Sequence, residues 1–117
     1  MINKIGVGID IIDVERFKEI PFEENPSFYN RIFSTSEIKY CLKHKKPYEH
    51  FAGKFAIKEA TIKSIQEKIT ILKLETFHSE SKPEVKINGE LGKKYNFLVS
   101  VSHEKKFAIA VVISEKI

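Results

Sequence analysis

The sequence predicts a single small α+β domain, in which an antiparallel sheet packs around one long helix. The helix is predicted over residues 48–68 by apolar positions at helical spacing. The sheet is predicted by alternating apolar positions near the N-terminus and again after the helix. The chain has 117 residues, of which 42% are hydrophobic and 31% charged, and this suits one folded domain with one core. We therefore expect residues 1–117 to form a single domain.

The first predicted element is a strand over residues 2–12. Apolar side chains alternate along it with smaller or polar ones, at Ile5, Val7, Ile9 and Ile11. Gly6 and Gly8 lie between them and leave room for another backbone to approach closely. Asp13 is placed to cap a short helix over residues 14–19, which should end before Pro21.

Two further helix starts precede the long helix. Pro26 follows Asn25, and proline is favoured at the first position of a helix, so a short turn of helix is expected there. Ser34 and Glu37 match a capping box, which predicts a helix that runs to about residue 44. In the long helix that follows, the predicted apolar stripe consists of Phe51, Phe55, Ile62 and Ile65.

Four strands are predicted in the last third of the chain, over residues 69–77, 84–88, 97–103 and 107–114. Asn88 and Gly89 predict a turn, and a short helical turn is expected over residues 90–95. The last two strands form a hairpin whose faces are both apolar. We therefore expect the hairpin to be covered on both sides, by the long helix or by another subunit.

Asp10 and Glu59 are the candidate metal ligands, because each is an acid among apolar or small neighbours. Burying a lone carboxylate costs free energy or raises its pKa, and two carboxylates brought together would repel without a cation. Mg²⁺ is often held by only one or two carboxylates, with substrate phosphates as further ligands. Lys63 follows Glu59 by one helical turn, so the three residues indicate a phosphate-plus-metal site. In isolation, a capping aspartate and a surface Glu/Lys pair are the commoner uses of these residues.

The charge balance favours an acidic partner. The formal net charge is +4, which suits nucleic acid, a phosphorylated ligand or an acidic protein. The apolar runs are too short to span a membrane, and the first residues lack the basic-then-apolar layout of a signal peptide. The single Cys41 excludes an intramolecular disulfide, and we expect a cytoplasmic protein.

Three separated motifs lie in one order along the chain. The first is Gly8-Ile9-Asp10-Ile11 with Arg16 after it; the second runs from Phe51 to Ala60 and is followed by Lys63; the third is Val101-Ser102-His103, with Phe107 to Ala110 after it. In this order and spacing they closely resemble the holo-acyl-carrier-protein synthases, the small members of the phosphopantetheinyl transferase superfamily. Residues 32–37, Ile-Phe-Ser-Thr-Ser-Glu, are also similar to the segment that precedes the long helix in those enzymes. The resemblance covers nearly the whole chain.

The resemblance implies a transferase reaction. Coenzyme A would donate its 4'-phosphopantetheine arm to a serine of apo acyl carrier protein, releasing adenosine 3',5'-bisphosphate. Asp10 and Glu59 would bind Mg²⁺, and Lys63 would contact the pyrophosphate of coenzyme A, which makes these three the candidate catalytic residues. No strong base is evident beside the site, and either a metal-bound water or one of the two carboxylates could accept the serine proton.

The resemblance also implies binding roles outside the metal site. Lys54, Ser102 and His103 would lie near the adenosine end of coenzyme A and its 3'-phosphate. Arg16 would meet the acidic recognition helix of the carrier protein. The family is typically a homotrimer with each active site between adjacent subunits, and its partners include neither nucleic acid nor membrane.

Three departures from the family pattern affect the loops around coenzyme A. Family members usually have arginine where this chain has Lys54, so a point charge replaces a bidentate fork. Residues 64–68 lead into the next strand without the usual glycine-rich turn, and residues 81–83 read Ser-Lys-Pro where Gly-Lys-Pro is common. The metal residues match the pattern.

Other interpretations stay open at this point. His103 could be a hydrogen-bonded structural histidine at a strand end, and Arg16 could be a solvated helix residue. A basic RNA-binding module would need exposed aromatic residues among Lys and Arg on a sheet face, whereas the last two strands carry apolar residues and no arginine. The sequence is also compatible with a phosphate-binding relative that has lost transferase activity.

Overall fold

The computed structural model describes residues 4–117 and confirms the predicted α+β class. Residues 1–3, which include the predicted start of the first strand, lie outside the described residues. The described helices are α1 (Glu15–Lys18), α2 (Pro26–Asn30), α3 (Thr35–Leu42) and α4 (Pro47–Ser64). The described strands are β1 (Ile5–Asp13), β2 (Leu74–Ser79), β3 (Lys82–Ile87), β4 (Tyr95–His103) and β5 (Phe107–Lys116).

The strands form two antiparallel sheets rather than one. β5 lies between β1 and β4 in a three-stranded sheet, whereas β2 and β3 form a separate hairpin. β3 lies beside β4 without hydrogen-bonded pairing among the described residues. The predicted strand over 69–77 begins only at Leu74, because Ile71–Lys73 forms a 3₁₀ turn. The predicted helical turn near residue 90 is confirmed as a second 3₁₀ turn, Glu90–Lys94.

All three predicted helices of the first half are present, and of their starts that of α3 has a side-chain cap at its N-cap residue. In the capping box, Ser34 Oγ accepts from the Glu37 amide at 3.2 Å, and Glu37 Oε1 accepts from the Ser34 amide at 2.8 Å. Pro26 is the first residue of α2. Asp13 Oδ1 accepts from the amide of Glu15 at 2.9 Å, at the start of α1.

Two glycines bring β1 directly against α4. A Cβ atom at Gly8 would overlap the carbonyl oxygen of Ala60, and one at Gly6 would overlap that of Ser64. The strand and helix backbones therefore touch at positions four residues apart on α4, which is one helical turn. This close approach fixes where the next inward-facing residue of β1, Asp10, meets the helix.

The long helix ends at Ser64, four residues earlier than Lys68, where the sequence pattern predicted its end. Ile65 is already extended, with φ −115° and ψ 161°. The Ser64 carbonyl accepts from Ser114 Oγ of β5 at 2.7 Å, so a strand takes the acceptor that another helical turn would have used. No helix within residues 4–117 is long and apolar enough to cross a membrane.

An aromatic cluster holds the short helices onto α4. Phe51 of α4 lies with its ring centroid 4.7 Å from that of Tyr29 and 5.1 Å from that of Phe33. Phe17 of α1 packs edge-on against Phe55 at 5.6 Å. The Tyr29 hydroxyl donates to the Ile20 carbonyl at 2.7 Å, which ties the chain after α1 to the same cluster.

The three-stranded sheet packs α4 on one face only. Its inner face includes Ala108, Ala110 and Val112, which are buried. Its outer face is aliphatic and open within the protomer: Leu98 is 70% exposed and Val7 is 66% exposed. The last hairpin was expected to be covered on both faces. Within the protomer, the long helix covers one face and the other face is open. We call the outer face the open sheet face; its large apolar members are Ile5, Val7, Ile9, Ile11, Leu98, Phe107, Ile109 and Ile113.

Candidate active site

Asp10 and Lys63 meet where β1 crosses α4. Lys63 Nζ lies 3.2 Å from Asp10 Oδ1 and donates to the Ile9 carbonyl at 3.1 Å. The Asp10 side chain is only 15% exposed, whereas that of Lys63 is 54% exposed. The carboxylate is thus largely enclosed, and the mobile end of the lysine reaches it from solvent.

Glu59 lies one helical turn before Lys63 and shares its flank of α4. Its side chain is half-buried, and it forms no hydrogen bond or ion pair with residues 4–117 that the structure describes. No third His, Cys, Asp or Glu joins the two carboxylates in a metal-binding group within this part of the chain. Two carboxylates without nitrogen or sulfur ligands fit a hard cation such as Mg²⁺, whose other ligands come from water and phosphate oxygens.

Lys54 and His103, which the resemblance places at one end of coenzyme A, line the same pocket. This pocket has a volume of about 80 Å³ and is lined by residues of α3, α4, β2, β3 and β4. Its other polar lining residues are Tyr40, His50, Thr76 and His78. His103 Nδ1 lies 3.5 Å from Glu49 Oε1, and its ring lies over Gly53, where a Cβ atom would come within 3.3 Å. We call this space the histidine pocket.

Lys54 is held at the inner wall of the histidine pocket. It is 6% exposed, its Nζ donates to Thr76 Oγ1 at 3.0 Å, and it lies 4.7 Å from the centre of the Tyr40 ring. Burial lowers the pKa of Lys54 from its ordinary value, because desolvation disfavours the charged form. An anion in the pocket would oppose that shift.

A buried ion pair lies behind Lys54. Lys58 Nζ is 2.7 Å from Glu37 Oε1, and both side chains are fully enclosed. The other oxygen of Glu37 accepts from the amide and the hydroxyl of Thr76, at 2.7 and 2.6 Å. Burial alone would raise the pKa of the Glu37 carboxyl, but Lys58 and the hydrogen bonds hold it below its ordinary value.

All four histidines of the chain gather around the histidine pocket. The rings of His44 and His50 stack at 3.8 Å, and His103 lies 4.9 Å from His50. His78 stacks on Tyr40 at 4.8 Å. Burial, followed by the charges that His44 and His103 can carry, lowers the pKa of His50 to about 4. The His50 ring is therefore neutral at neutral pH.

Ser102 lies on the other face of the sheet from His103. Inward positions of β4 such as Val101 and His103 line the histidine pocket, whereas Ser102 is exposed opposite Ile109 on the open sheet face. The structure therefore brings Lys54 and His103 together and leaves Ser102 apart from them within the protomer. Its predicted contact with coenzyme A stays a prediction.

Arg16 lies at the rim of an apolar groove that begins beside the acidic residues. The groove has a volume of about 380 Å³. Ile12, two residues after Asp10, and Phe55, one turn before Glu59, both line it. Its remaining apolar walls come from the first half of the chain, at Phe17, Ile20, Phe28 and Ile32. An exposed cation therefore borders an apolar surface next to the candidate metal site.

Sequence reasoning missed most of the residues around Lys54. Tyr40, Thr76 and His78 come from elements far apart in the chain, and no spacing connects them. One usable signal was present: Lys54 and Lys58 fall on the same helical face as Phe51, and lysines on a buried face require partners. Cys41 is buried in the hydrophobic core.

Comparisons with known proteins agree with the motifs. Residues 6–112 match the family model described as the 4'-phosphopantetheinyl transferase superfamily. A holo-[acyl-carrier-protein] synthase of Thermodesulfovibrio yellowstonii is 42% identical over 111 residues, which cover 92% of this chain and 96% of the relative. A synthase from Bacillus anthracis, solved in complex with CoA (3',5'-ADP), has a TM-score of 0.79 at 29% identity, with 96% of both chains covered. One from Helicobacter pylori, solved with coenzyme A, has a TM-score of 0.78 at 31% identity, covering 93% of this chain and 99% of that one.

Proposed function

The chain is an enzyme of the holo-acyl-carrier-protein synthase family, within the 4'-phosphopantetheinyl transferase superfamily, and we propose that it modifies acyl carrier protein by an Mg²⁺-dependent transfer. The donor is coenzyme A, which the related Bacillus and Helicobacter synthases hold in their solved structures. The acceptor is a serine of apo acyl carrier protein. In the transfer, a bond forms between the serine oxygen and the phosphorus that carries the pantetheine arm. The bond from that phosphorus to adenosine 3',5'-bisphosphate breaks.

The contact of Asp10 with Lys63, one helical turn after Glu59 on α4, is the observation that carries this proposal. When bound by the two carboxylates, Mg²⁺ would neutralise charge on the pyrophosphate oxygens. The Lys63 ammonium, now 3.2 Å from Asp10, is mobile enough to move onto a pyrophosphate oxygen. The fixed contact of β1 on α4 at Gly8 holds the carboxylates in place before substrate arrives.

The serine proton must leave as the new bond forms. Among the residues described here, Asp10 and Glu59 are the candidate side-chain acceptors for this proton, and Asp10 is already paired with Lys63. We propose one of these two carboxylates as the acceptor. Water in the site is the alternative acceptor.

The histidine pocket suits the adenosine end of coenzyme A. Lys54 is a buried cation with donors to spare, and no Asp or Glu lines the pocket among the described residues. A phosphate monoester there would accept from Lys54 and from a histidine ring. We therefore assign Lys54 and His103 to the 3'-phosphate.

Carrier protein would dock at Arg16 and the apolar groove beside it. Acyl carrier proteins of this resemblance class present an acidic helix, and the chain has a net charge of +4. A helix that pairs its acids with Arg16 could lay apolar residues into the groove next to Ile12 and Phe55. Because the groove begins beside Asp10, a serine on that helix would lie near the reacting phosphorus.

The open sheet face supports a homotrimer. Contiguous aliphatic surface of this kind is rarely left bare by a monomer. Ser102 lies on this face, so assembly would bring it near a neighbouring subunit, in agreement with active sites shared between subunits. We propose further that residues 1–117 act as one transferase domain, and that the protein works in the cytoplasm, where a single reduced cysteine is stable.

One incubation tests the reaction. The protein is mixed with coenzyme A, Mg²⁺ and apo carrier protein, and the intact mass of the carrier is measured. Gain of one phosphopantetheine group, lost when a chelator removes the metal and restored by Mg²⁺, supports the proposal. An unmodified carrier, with coenzyme A still bound in calorimetry, would identify a binding relative without transferase activity.

A further inference from the structure

We propose that Thr76 is a positioning residue that orients the ammonium of Lys54 toward the 3'-phosphate of coenzyme A. Thr76 lies on β2, the strand of the separate hairpin, and Lys54 on α4, so the contact joins two parts of the fold. The inference rests on the proposed function, because it takes Lys54 as the partner of that phosphate. It assigns a role to a residue that touches the ligand only through another side chain.

The hydroxyl of Thr76 has a defined direction. Its oxygen lies 2.6 Å from Glu37 Oε2 and 3.0 Å from Lys54 Nζ. Glu37 is ionised beside Lys58 and can only accept a hydrogen bond, so the hydroxyl hydrogen points to Glu37. An ammonium can only donate, so a lone pair of Thr76 faces Lys54. Lys58, Glu37, Thr76 and Lys54 thus form one hydrogen-bonded chain in which the Thr76 hydroxyl hydrogen has a single assignment.

This arrangement limits the freedom of Lys54 before any ligand binds. Thr76 takes one of its three ammonium hydrogens, and the Tyr40 ring lies 4.7 Å from the nitrogen. Two hydrogens are left for the histidine pocket. Ordering a lysine side chain costs rotamer entropy, and fixing it in advance removes that cost from the binding step.

The lysine makes this positioning necessary. An arginine fork fixes its own geometry on a phosphate through two parallel hydrogen bonds, whereas an ammonium is a point charge on a flexible stem. For the lysine at position 54, the direction must therefore come from neighbours. In this chain the neighbours are Thr76 on one side and Tyr40 on the other.

Two substitutions at one position separate the hydroxyl from the packing. Thr76→Val keeps the shape and removes the hydroxyl, whereas Thr76→Ser keeps the hydroxyl. Affinity and KM are measured for coenzyme A and for 3'-dephospho-coenzyme A, which differ only in the phosphate. Thr76→Val should lower the affinity for coenzyme A by about tenfold, which is the effect expected from the loss of one charge-assisted hydrogen bond. Thr76→Val should leave the affinity for 3'-dephospho-coenzyme A and the value of kcat nearly unchanged. Thr76→Ser should behave as the parent.

The double variant with Lys54→Met tests the route. On that background Thr76→Val should add no further loss, since there is no ammonium left to orient. Three results would overturn the positioning role. The first is an equal loss of affinity for both donors in Thr76→Val, and the second is a failure of Thr76→Ser to retain the parent affinity. The third is full additivity of the losses of Thr76→Val and Lys54→Met. A parent that transfers the arm but binds both donors equally well would also overturn it while leaving the transfer intact. A parent that transfers nothing would instead contradict the proposed function.

Discussion

Replacing Lys58 with methionine should destabilise the fold, because Lys58 balances a fully buried carboxylate. Lys58 Nζ is 2.7 Å from Glu37 Oε1 and 2.8 Å from the Ile32 carbonyl. Methionine keeps most of the apolar stem but removes the charge and both hydrogen bonds. Loss of one partner of a buried pair typically costs about 3–5 kcal/mol. Because Thr76 and the Ser34 amide still donate to Glu37, we expect a loss at the lower end, about 3 kcal/mol.

The pH dependence of this loss has a predicted sign. In the parent the pKa of Glu37 is held below its ordinary 4.5, so the stabilisation is complete above that pH and is lost as pH falls. In Lys58→Met, burial becomes the dominant influence and raises the pKa of Glu37. The variant then loses stability as pH rises through 4.5 toward the raised pKa. The gap between parent and variant should therefore widen from about pH 4 to pH 7.

Urea unfolding followed by far-ultraviolet circular dichroism measures the effect. The chain has no tryptophan, and the protein concentration must be held constant because assembly contributes to apparent stability. Lys63→Met is the matched control on the same helix: its pair with Asp10 is half exposed, so its loss should stay below about 1 kcal/mol. The double change Glu37→Gln with Lys58→Met should recover part of the loss. The reasoning about the buried pair is wrong if the free energy of unfolding of Lys58→Met at pH 7 lies within about 1 kcal/mol of the parent value and changes with pH as the parent value does.

Four further predictions test the site and the assembly. Asp10→Asn or Glu59→Gln should lower kcat by at least about a hundredfold, because negative charge in the transition state would lose the metal that balances it. The thermal unfolding curve of each variant should stay that of a folded protein. Substantial activity of either variant at saturating Mg²⁺ would contradict the proposed metal site. Arg16→Ala should raise the KM for carrier protein by about tenfold and leave that for coenzyme A unchanged; an Arg16→Glu variant that binds carrier as the parent does at low salt would exclude this docking. The parent should sediment as a trimer at micromolar concentration, and Ile109→Asp on the open sheet face should dissociate it; a stable parent monomer would refute the assembly. Finally, because the pKa of His50 falls to about 4 in the folded protein, stability should decrease as pH drops from 6.5 to 4, by about 1 kcal/mol after allowing for solvent screening; the decrease should be smaller in His50→Gln, and an identical profile would contradict this environment.

Local signals predicted the elements that position the metal site. The capping box at Ser34 depends on residues three apart, and the glycines of β1 indicate close approach whatever they meet. Asp10 and Glu59 stood out because their own neighbours are apolar or small. The inferences about the capping box and the glycines need only a short stretch of chain, which explains why they agree with the structure; the metal role of Asp10 and Glu59 stays a prediction.

The parts that sequence could not predict depend on partners distant in the chain. The end of α4 is determined by Ser114, fifty residues after Ser64. The histidine pocket is lined by residues from five elements, so Thr76 and His78 have no local pattern that marks them. Similarly, the motif Val101-Ser102-His103 groups Ser102 with His103, but adjacent residues of a strand face opposite sides of a sheet.

Because β1 packs on α4 with one face only, a mutational scan of this strand should report two separate properties: folding at inward positions and subunit association at outward positions. The inward glycines Gly6 and Gly8 tolerate no side chain, so substitutions there should reduce protein abundance in every background. Outward positions such as Val7 are exposed within the protomer, so their tolerance should report on subunit association. Asp10 shares the inward face, and its ion pair is with a half-exposed lysine. Substitution of Asp10 should therefore reduce catalytic fitness more than protein abundance.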